Sequence, residues 1–191
     1  MLFRSLHRVF LDAAVLLDFD ILFFHPKEED SYHTCTVTPE EVRSLLDSDG
    51  PPCAVYLTAP DYLGHIPDIG GIAAVCHEKG VYLLVDGAHG GYLRFLPSSL
   101  HPIDLGADLC CSSAHKTLPV LTGGAYLHLS PKLPPHFREN AREALALFGS
   151  TSPSYLILQS LDLANRLLED YLRAGAYACP VRHRTRYDFN H

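Results

Sequence analysis

Apolar residues recur along this chain with two different periods, and the points where one period gives way to the other mark out its elements. Residues 6 to 17 carry Leu6, Val9, Phe10, Ala13, Ala14 and Leu17 at helical spacing, which predicts an amphipathic first helix. Ile21 to Phe24 is a short apolar run that ends at His25-Pro26 and reads as a first strand, with a solvated acidic turn from Lys27 to Asp30 after it. Thr38, Pro39 and Glu41 spell a helix start: an N-cap hydroxyl, a proline at the first helical position and a returning carboxylate. Asp47 to Pro52 breaks that helix. The Val-Tyr-Leu content of Ala54 to Thr58 predicts a buried strand, and Pro60 to Gly64 its loop. Helical spacing returns at Ile69, Ile72, Ala73, Val75 and Cys76 and stops at Gly80, a C′ cap.

The next stretch organises the rest. Val81 to Val85 reads as a buried strand that ends on Asp86 and runs into Gly87-Ala88-His89-Gly90-Gly91; a second apolar run, Ala107 to Ser113, ends on Ala114-His115-Lys116. Strand, helix, strand in this order implies a right-handed parallel crossover. Gly123 to Ser130 predicts another strand, closed by the prolines of 131–135. Residues 136 to 148 predict a helix with Phe137, Ala141, Leu145 and Phe148 inward, 149–155 a loop, and Leu156 to Leu172 a final helix. No usable periodicity runs from Gly175 to His191. The pattern is that of an α/β fold, a mostly parallel sheet flanked by helices.

Composition narrows the function classes. A chain of 191 residues, 47% hydrophobic and only 19% charged, is long enough for one good core and excludes a disordered polar chain. A net charge of −7 argues against a nucleic-acid partner, and the basic cluster at 182–186 reads as a solvated end. Six cysteines without a Cys-x-x-Cys pair point to a reducing compartment, and adjacent Cys110 and Cys111 read as small buried hydrophobes. No apolar run reaches membrane-spanning length and Met1-Leu2-Phe3-Arg4 opens no signal peptide, so the expected location is the cytoplasm, with no membrane partner. Twelve histidines invite a metal reading, yet no His-Glu-x-x-His occurs and none has ligand spacing. The glycine pairs form neither a dinucleotide nor a P-loop fingerprint.

The chemistry lies in the acid and the lysine. Parallel sheets gather ligands outside the carboxyl ends of their strands, where Asp86 and Lys116 both fall. Pyridoxal phosphate needs a lysine amine to hold it as a Schiff base and an anion against its ring nitrogen to keep that nitrogen protonated. Lys116 and Asp86 are the candidates for those roles. Taken alone, Lys116 is also readable as a surface lysine after a strand, Asp86 as a turn aspartate, and His89 and His115 as structural histidines.

Asp86-Gly87-Ala88-His89-Gly90 and Ser113-Ala114-His115-Lys116-Thr117-Leu118-Pro119, followed by Leu121-Thr122 and Leu127-His128, resemble the group I ornithine/lysine/arginine decarboxylases. These are pyridoxal phosphate enzymes of the aminotransferase-like fold, fold type I. The resemblance runs from about His7 to about Tyr171 and covers the large cofactor-binding domain, so that residues 1–174 resemble part of that domain and 175–191 form a tail. It implies a Schiff base on Lys116, Asp86 at the ring nitrogen, Ala88 against a ring face, and Ser113 on the phosphate. His89 is implied as a cofactor contact, and His115 as a group near cofactor and substrate, with Lys116 or His115 returning a proton to the α-carbon. Arg4-Ser5-Leu6-His7-Arg8 resembles a family run whose histidine stacks on the pyridine ring. Thr151, in Ser150 to Tyr155, resembles a loop that reaches the phosphate of a neighbouring subunit, which implies a dimer with shared sites.

The implied reaction is decarboxylation of lysine, arginine or ornithine to a polyamine or its precursor. The family's phosphate-holding loop lies upstream of the His7 segment, so the chain reads as a fragment. Gly87 and Gly123 stand where the family often has a larger residue and a glutamine. A different class is therefore carried beside it: a non-catalytic module that binds the cofactor weakly or serves in interactions. An aminotransferase or lyase on the same fold, yielding keto acids, is the third reading.

Overall fold

The computed structural model describes residues 7–24, 37–48 and 52–173. The predicted turn at 27–30 and the tail at 175–191 lie outside them. Helix α1, Arg8–Leu17, starts where the spacing places it, with the His7 ring accepting the Val9 N–H at 3.3 Å, and ends on Asp18 at φ 53°. Helix α2, Pro39–Ser48, carries the expected capping box: Thr38 N–H donates to Glu41 Oε2 at 2.8 Å and Glu41 N–H to Thr38 Oγ1 at 3.3 Å. Helix α3, Ile69–Glu78, begins at Asp68, whose carboxylate accepts the Gly71 N–H, and stops before Gly80 at φ +68°, a left-handed position suited to glycine.

Four strands make one sheet in the order of the chain: β1 (Ala54–Thr58), β2 (Tyr82–Asp86), β3 (Leu109–Ser112) and β4 (Tyr126–Leu129). The first three are parallel and β4 is antiparallel to β3, so the sheet is mostly parallel with helices packed on it. Strand alternation sends Val55, Leu57, Leu83, Val85 and Cys110 to one face, where they join Val42 and Leu46 of α2 and Ile69, Ile72, Val75 and Cys76 of α3 in the core. Arg43 clasps Glu78 with bonds of 2.8 and 2.7 Å across the two helices, an exposed pair that adds little beside the apolar burial. Asp108, buried just before β3, accepts the Leu83 N–H at 2.8 Å and meets His77 Nε2 at 2.9 Å, tying the entry of β3 to β2 and α3.

Several expectations are corrected. Ile21 to Phe24 is not a strand of the sheet; it makes a single bridge at Phe23, and Phe24 packs against the core. Within the run Phe24 packs against the core, while Leu22 and Phe23 are exposed. Strand β4 is shorter than the run from Gly123 to Ser130, since Gly123, at φ +101°, and Gly124 still belong to a turn closed by Gly124 N–H on Leu121 O. Helices α5 (His136–Phe148) and α6 (Tyr155–Arg173) form, but the inward face predicted for α5 is only partly realised. Phe137 meets the Tyr82 ring at 5.1 Å and Ala141 is half-buried, whereas Leu145 and Phe148 are exposed, because only the first turns of α5 reach the sheet. Of the two cysteines Cys110 is buried and Cys111 exposed, as alternation requires of neighbours on a strand.

Two polar contacts with different burial separate in stability. Asp108→Ala strands the buried Leu83 N–H and should cost about 1–3 kcal/mol, whereas Thr38→Ala removes one half-buried cap and should cost about 1 kcal/mol. Urea denaturation of both variants beside the parent checks the order; equal midpoints would remove Asp108 as a tie.

Candidate active site

Parallel pairing sets the site. Thr58 lies beside Asp86, and Asp86 beside Cys111, so three strands leave the sheet at one end in one row. From that row β2 enters the turn Gly87 to Gly91, while β3 runs through Ser113 into the short helix α4, Ala114–Thr117. Gly87 donates its N–H to Cys111 O at 2.8 Å, and a Cβ there would stand 2.8 Å from Cys110 Sγ. A larger residue at this point would push β2 and β3 apart, and glycine lets them close.

Asp86 is 9% exposed. Its Oδ2 accepts the Tyr56 hydroxyl at 3.0 Å; its Oδ1 accepts the Ala88 N–H at 3.0 Å and faces the Cys111 thiol at 3.7 Å. Every one of these donors is neutral. Burial, and then the Asp86 charge, push the Tyr56 hydroxyl far above the ordinary tyrosine range, so it stays a donor. Tyr56 is placed in turn by Phe10 of α1, whose ring lies 4.2 Å from its own.

Lys116 is exposed, and its Nζ lies 3.4 Å from His89 Nε2. Burial, then the Lys116 charge, lower the His89 imidazole below its usual value, against a smaller opposite pull from Asp86. A neutral His89 that accepts from the Lys116 ammonium carries its proton on Nδ1, which is buried and has no partner. Tyr62 stands over the His89 ring at 5.1 Å. His115 turns away: its Nδ1 lies 3.0 Å from Gly124 O, which also accepts the His115 N–H at 3.3 Å, so this side chain ties α4 to the turn before β4.

Asp86, Ala88, His89 and Lys116 are thus gathered at one sheet end. Ser113 stands at the N-cap position of α4 with no side-chain capping bond, and its carbonyl accepts the Lys116 N–H at 3.0 Å. His7 caps α1, the helix whose Phe10 reaches Tyr56. Thr151 is exposed in the loop between α5 and α6, where Ser152 N–H donates to Ser150 Oγ. Neither His7 nor Thr151 has a bond to the Asp86–Lys116 cluster among the described residues. Sequence reading missed Tyr56, Tyr62 and Cys111. Two-residue alternation puts Tyr56 and Asp86 on one face, but only once β1 is known to pair with β2. Among the described residues no group of three or more His, Cys, Asp or Glu is placed to hold a metal ion.

A buried carboxylate with only neutral donors suits a cationic ring nitrogen, and an exposed amine nearby suits a carbonyl carbon. The chain is 33% identical over 168 residues to the protein YaaO of Bacillus subtilis, and 30% identical over 169 residues to an arginine decarboxylase of Halalkalibacterium halodurans. These alignments cover 87% and 86% of this chain but 35% and 34% of those proteins, so the chain spans about a third of their length. The fold matches the Oryza sativa TDC structure solved with PLP at a TM-score of 0.57, with 21% identity, over 68% of this chain and 29% of that one. The family profile described as Orn/Lys/Arg decarboxylase, major domain, matches residues 1–175, and the chain belongs to that family.

Proposed function

We propose that this chain is the cofactor-binding part of a pyridoxal-phosphate-dependent decarboxylase acting on a basic amino acid, lysine, arginine or ornithine. The observation that carries this reading is the buried Asp86, its donors all neutral, at the sheet end where the amine of Lys116 meets His89. Pyridoxal phosphate, when bound, supplies an aldehyde carbon for an amine and a ring that takes up the electron pair left when a carboxylate departs as carbon dioxide. Asp86 holds a proton at the ring nitrogen, fixed in place by Tyr56 and the Ala88 N–H. Lys116 would hold the group through its amine at the aldehyde carbon. His89 keeps one nitrogen free to accept from the Lys116 amine. Lys116 would return a proton to the substrate α-carbon, since His115, the other candidate, is turned to the Gly124 carbonyl. Ser113 serves the phosphate.

The same reading makes the protein a dimer with shared sites, the Thr151 loop reaching the neighbour's phosphate. What supports this is the exposure of that loop and of the apolar residues flanking it, Leu147, Phe148, Tyr155 and Leu156. The His7 ring would lie against the cofactor ring, a role supported by its place on the helix that holds Tyr56. A second reading is a cofactor-binding module without catalysis.

Mixing the chain with pyridoxal phosphate, reducing with borohydride and mapping the peptide should place a pyridoxyl group on Lys116 that Lys116→Ala lacks; label scattered over surface lysines would sink the site. Carbon dioxide release from one of the three basic amino acids is then expected. Labelled Lys116 with no release would favour the non-catalytic module, and keto-acid products an aminotransferase. Without cofactor, Lys116→Ala removes a positive charge from His89, so the imidazole pKa should rise towards its ordinary value. An NMR titration of the ring protons reads this, and an unchanged or lower value would break the Lys116–His89 coupling.

A further inference from the structure

Lys116 stands on α4, a helix of four residues and too short to hold its own place, so its amine is fixed by the segments on either side. On one side lies the turn after β2. Thr117 packs there against Gly91, where a Cβ would stand 2.9 Å from Thr117 Oγ1. On the other side lies the chain between α4 and β4, which meets α4 through the Gly124 carbonyl. That oxygen accepts the His115 N–H at 3.3 Å and lies 3.0 Å from His115 Nδ1. A carbonyl only accepts, so Nδ1 carries a proton and donates. Two bonds to one oxygen thus fix both the backbone and the ring of the residue next to Lys116.

The Gly124 carbonyl is itself placed from α6. Gly124 N–H closes a turn on Leu121 O at 3.2 Å, and Gly123, at φ +101°, takes the position in it that asks for glycine. Gly124 has no room for a side chain, since a Cβ would stand 2.4 Å from Val120 Cγ1 and 3.2 Å from Leu161 Cδ2. Leu121 N–H donates to Ser160 Oγ at 3.1 Å, and the Ser160 hydroxyl donates to Ile157 O of its own helix at 2.8 Å. A serine bonded back onto its helix presents its remaining lone pair in a fixed direction. Beyond the turn, Tyr126 of β4 donates to Asn165 of the same helix at 3.0 Å. The turn is therefore fastened to α6 at its start and just past its end.

We propose that His115 and Ser160 are positioning residues for Lys116: Ser160 seats the 121–124 turn on α6, the turn presents the Gly124 carbonyl, and His115 bound to it holds the amine at His89. The inference rests on the reading of Lys116 as the cofactor's amine for its purpose, and on the hydrogen bonds alone for its geometry. An amine held in place attacks a carbonyl carbon faster than one that wanders. His89 is a gauge of that place without cofactor, because Lys116 Nζ lies 3.4 Å from its Nε2 and the positive charge lowers the imidazole. An amine that drifts away lets the imidazole rise.

An NMR titration of the His89 ring in the full chain, with Lys116→Ala as the limit of an absent amine, reads this. In Ser160→Ala and His115→Phe the His89 midpoint should rise towards that limit. In His115→Asn, whose amide N–H still reaches the Gly124 carbonyl, it should stay at the parent value. Alanine is a better helix former than serine, so Ser160→Ala keeps α6 and decides the matter even if His115→Phe unfolds. A midpoint unmoved in Ser160→Ala, unmoved in folded His115→Phe, or raised in His115→Asn as well overturns the proposal. Capture of pyridoxal phosphate at Lys116, trapped with borohydride, should slow about 2- to 10-fold in Ser160→Ala for one lost hydrogen bond; an equal rate also overturns it. A parent chain that takes no label at Lys116 sinks the cofactor reading instead, and the titration still judges the positioning.

Discussion

The parallel register of β1, β2 and β3 is the constraint on which this protein's chemistry depends. It sets Thr58, Asp86 and Cys111 in one row at one end of the sheet, and so fixes where the carboxylate of Asp86 sits. A one-residue slip would send Asp86 to the opposite face, into the apolar core of α2 and α3, where a charge without donors is prohibitively costly. Register, burial and the Tyr56 hydroxyl are therefore parts of one arrangement. Helix α1 belongs to it as well, since Phe10 positions Tyr56.

Two buried acids on neighbouring strands show what distinguishes a structural from a chemical carboxylate. Asp108, at the entry of β3, accepts a strand N–H and meets His77, so its partners come from the fold that it braces. Asp86, at the exit of β2, is stabilised by neutral donors alone, and the His89 imidazole in the turn after it is itself held below its ordinary pKa. The first acid locks two strands and a helix together. The second lies where the described residues supply no ion pair, which fits the role proposed for it beside a cationic ring.

The faces of the sheet are covered unequally. Helices α2 and α3 bury their apolar sides fully against Val55, Leu57, Leu83 and Val85. By contrast α1, α5 and α6 keep Val15, Leu16, Leu147, Phe148, Tyr155 and Leu156 largely in solvent. Apolar exposure on this scale marks interaction surface. It is concentrated on the helices that flank the Thr151 loop and on the helix that holds Tyr56, so the surfaces open to a partner adjoin the elements that shape the site.

Local signals are short-range, and what they decided is local. The capping box at Thr38, the C′ glycine at Gly80 and the strand ending on Asp86 were legible because each rests on neighbouring residues or on a single period. The apolar run at Ile21 to Phe24 misled, since four apolar residues fit a strand and a core-covering segment equally well. The outward side of α5 misled because helical spacing names a stripe without saying whether anything lies against it. Only tertiary structure decided that Tyr56 reaches Asp86, that Tyr62 meets the His89 ring at a tilt and that His115 turns to Gly124. Each of those contacts joins residues from different elements, and their meeting depends on strand pairing and packing that no local stretch of sequence contains.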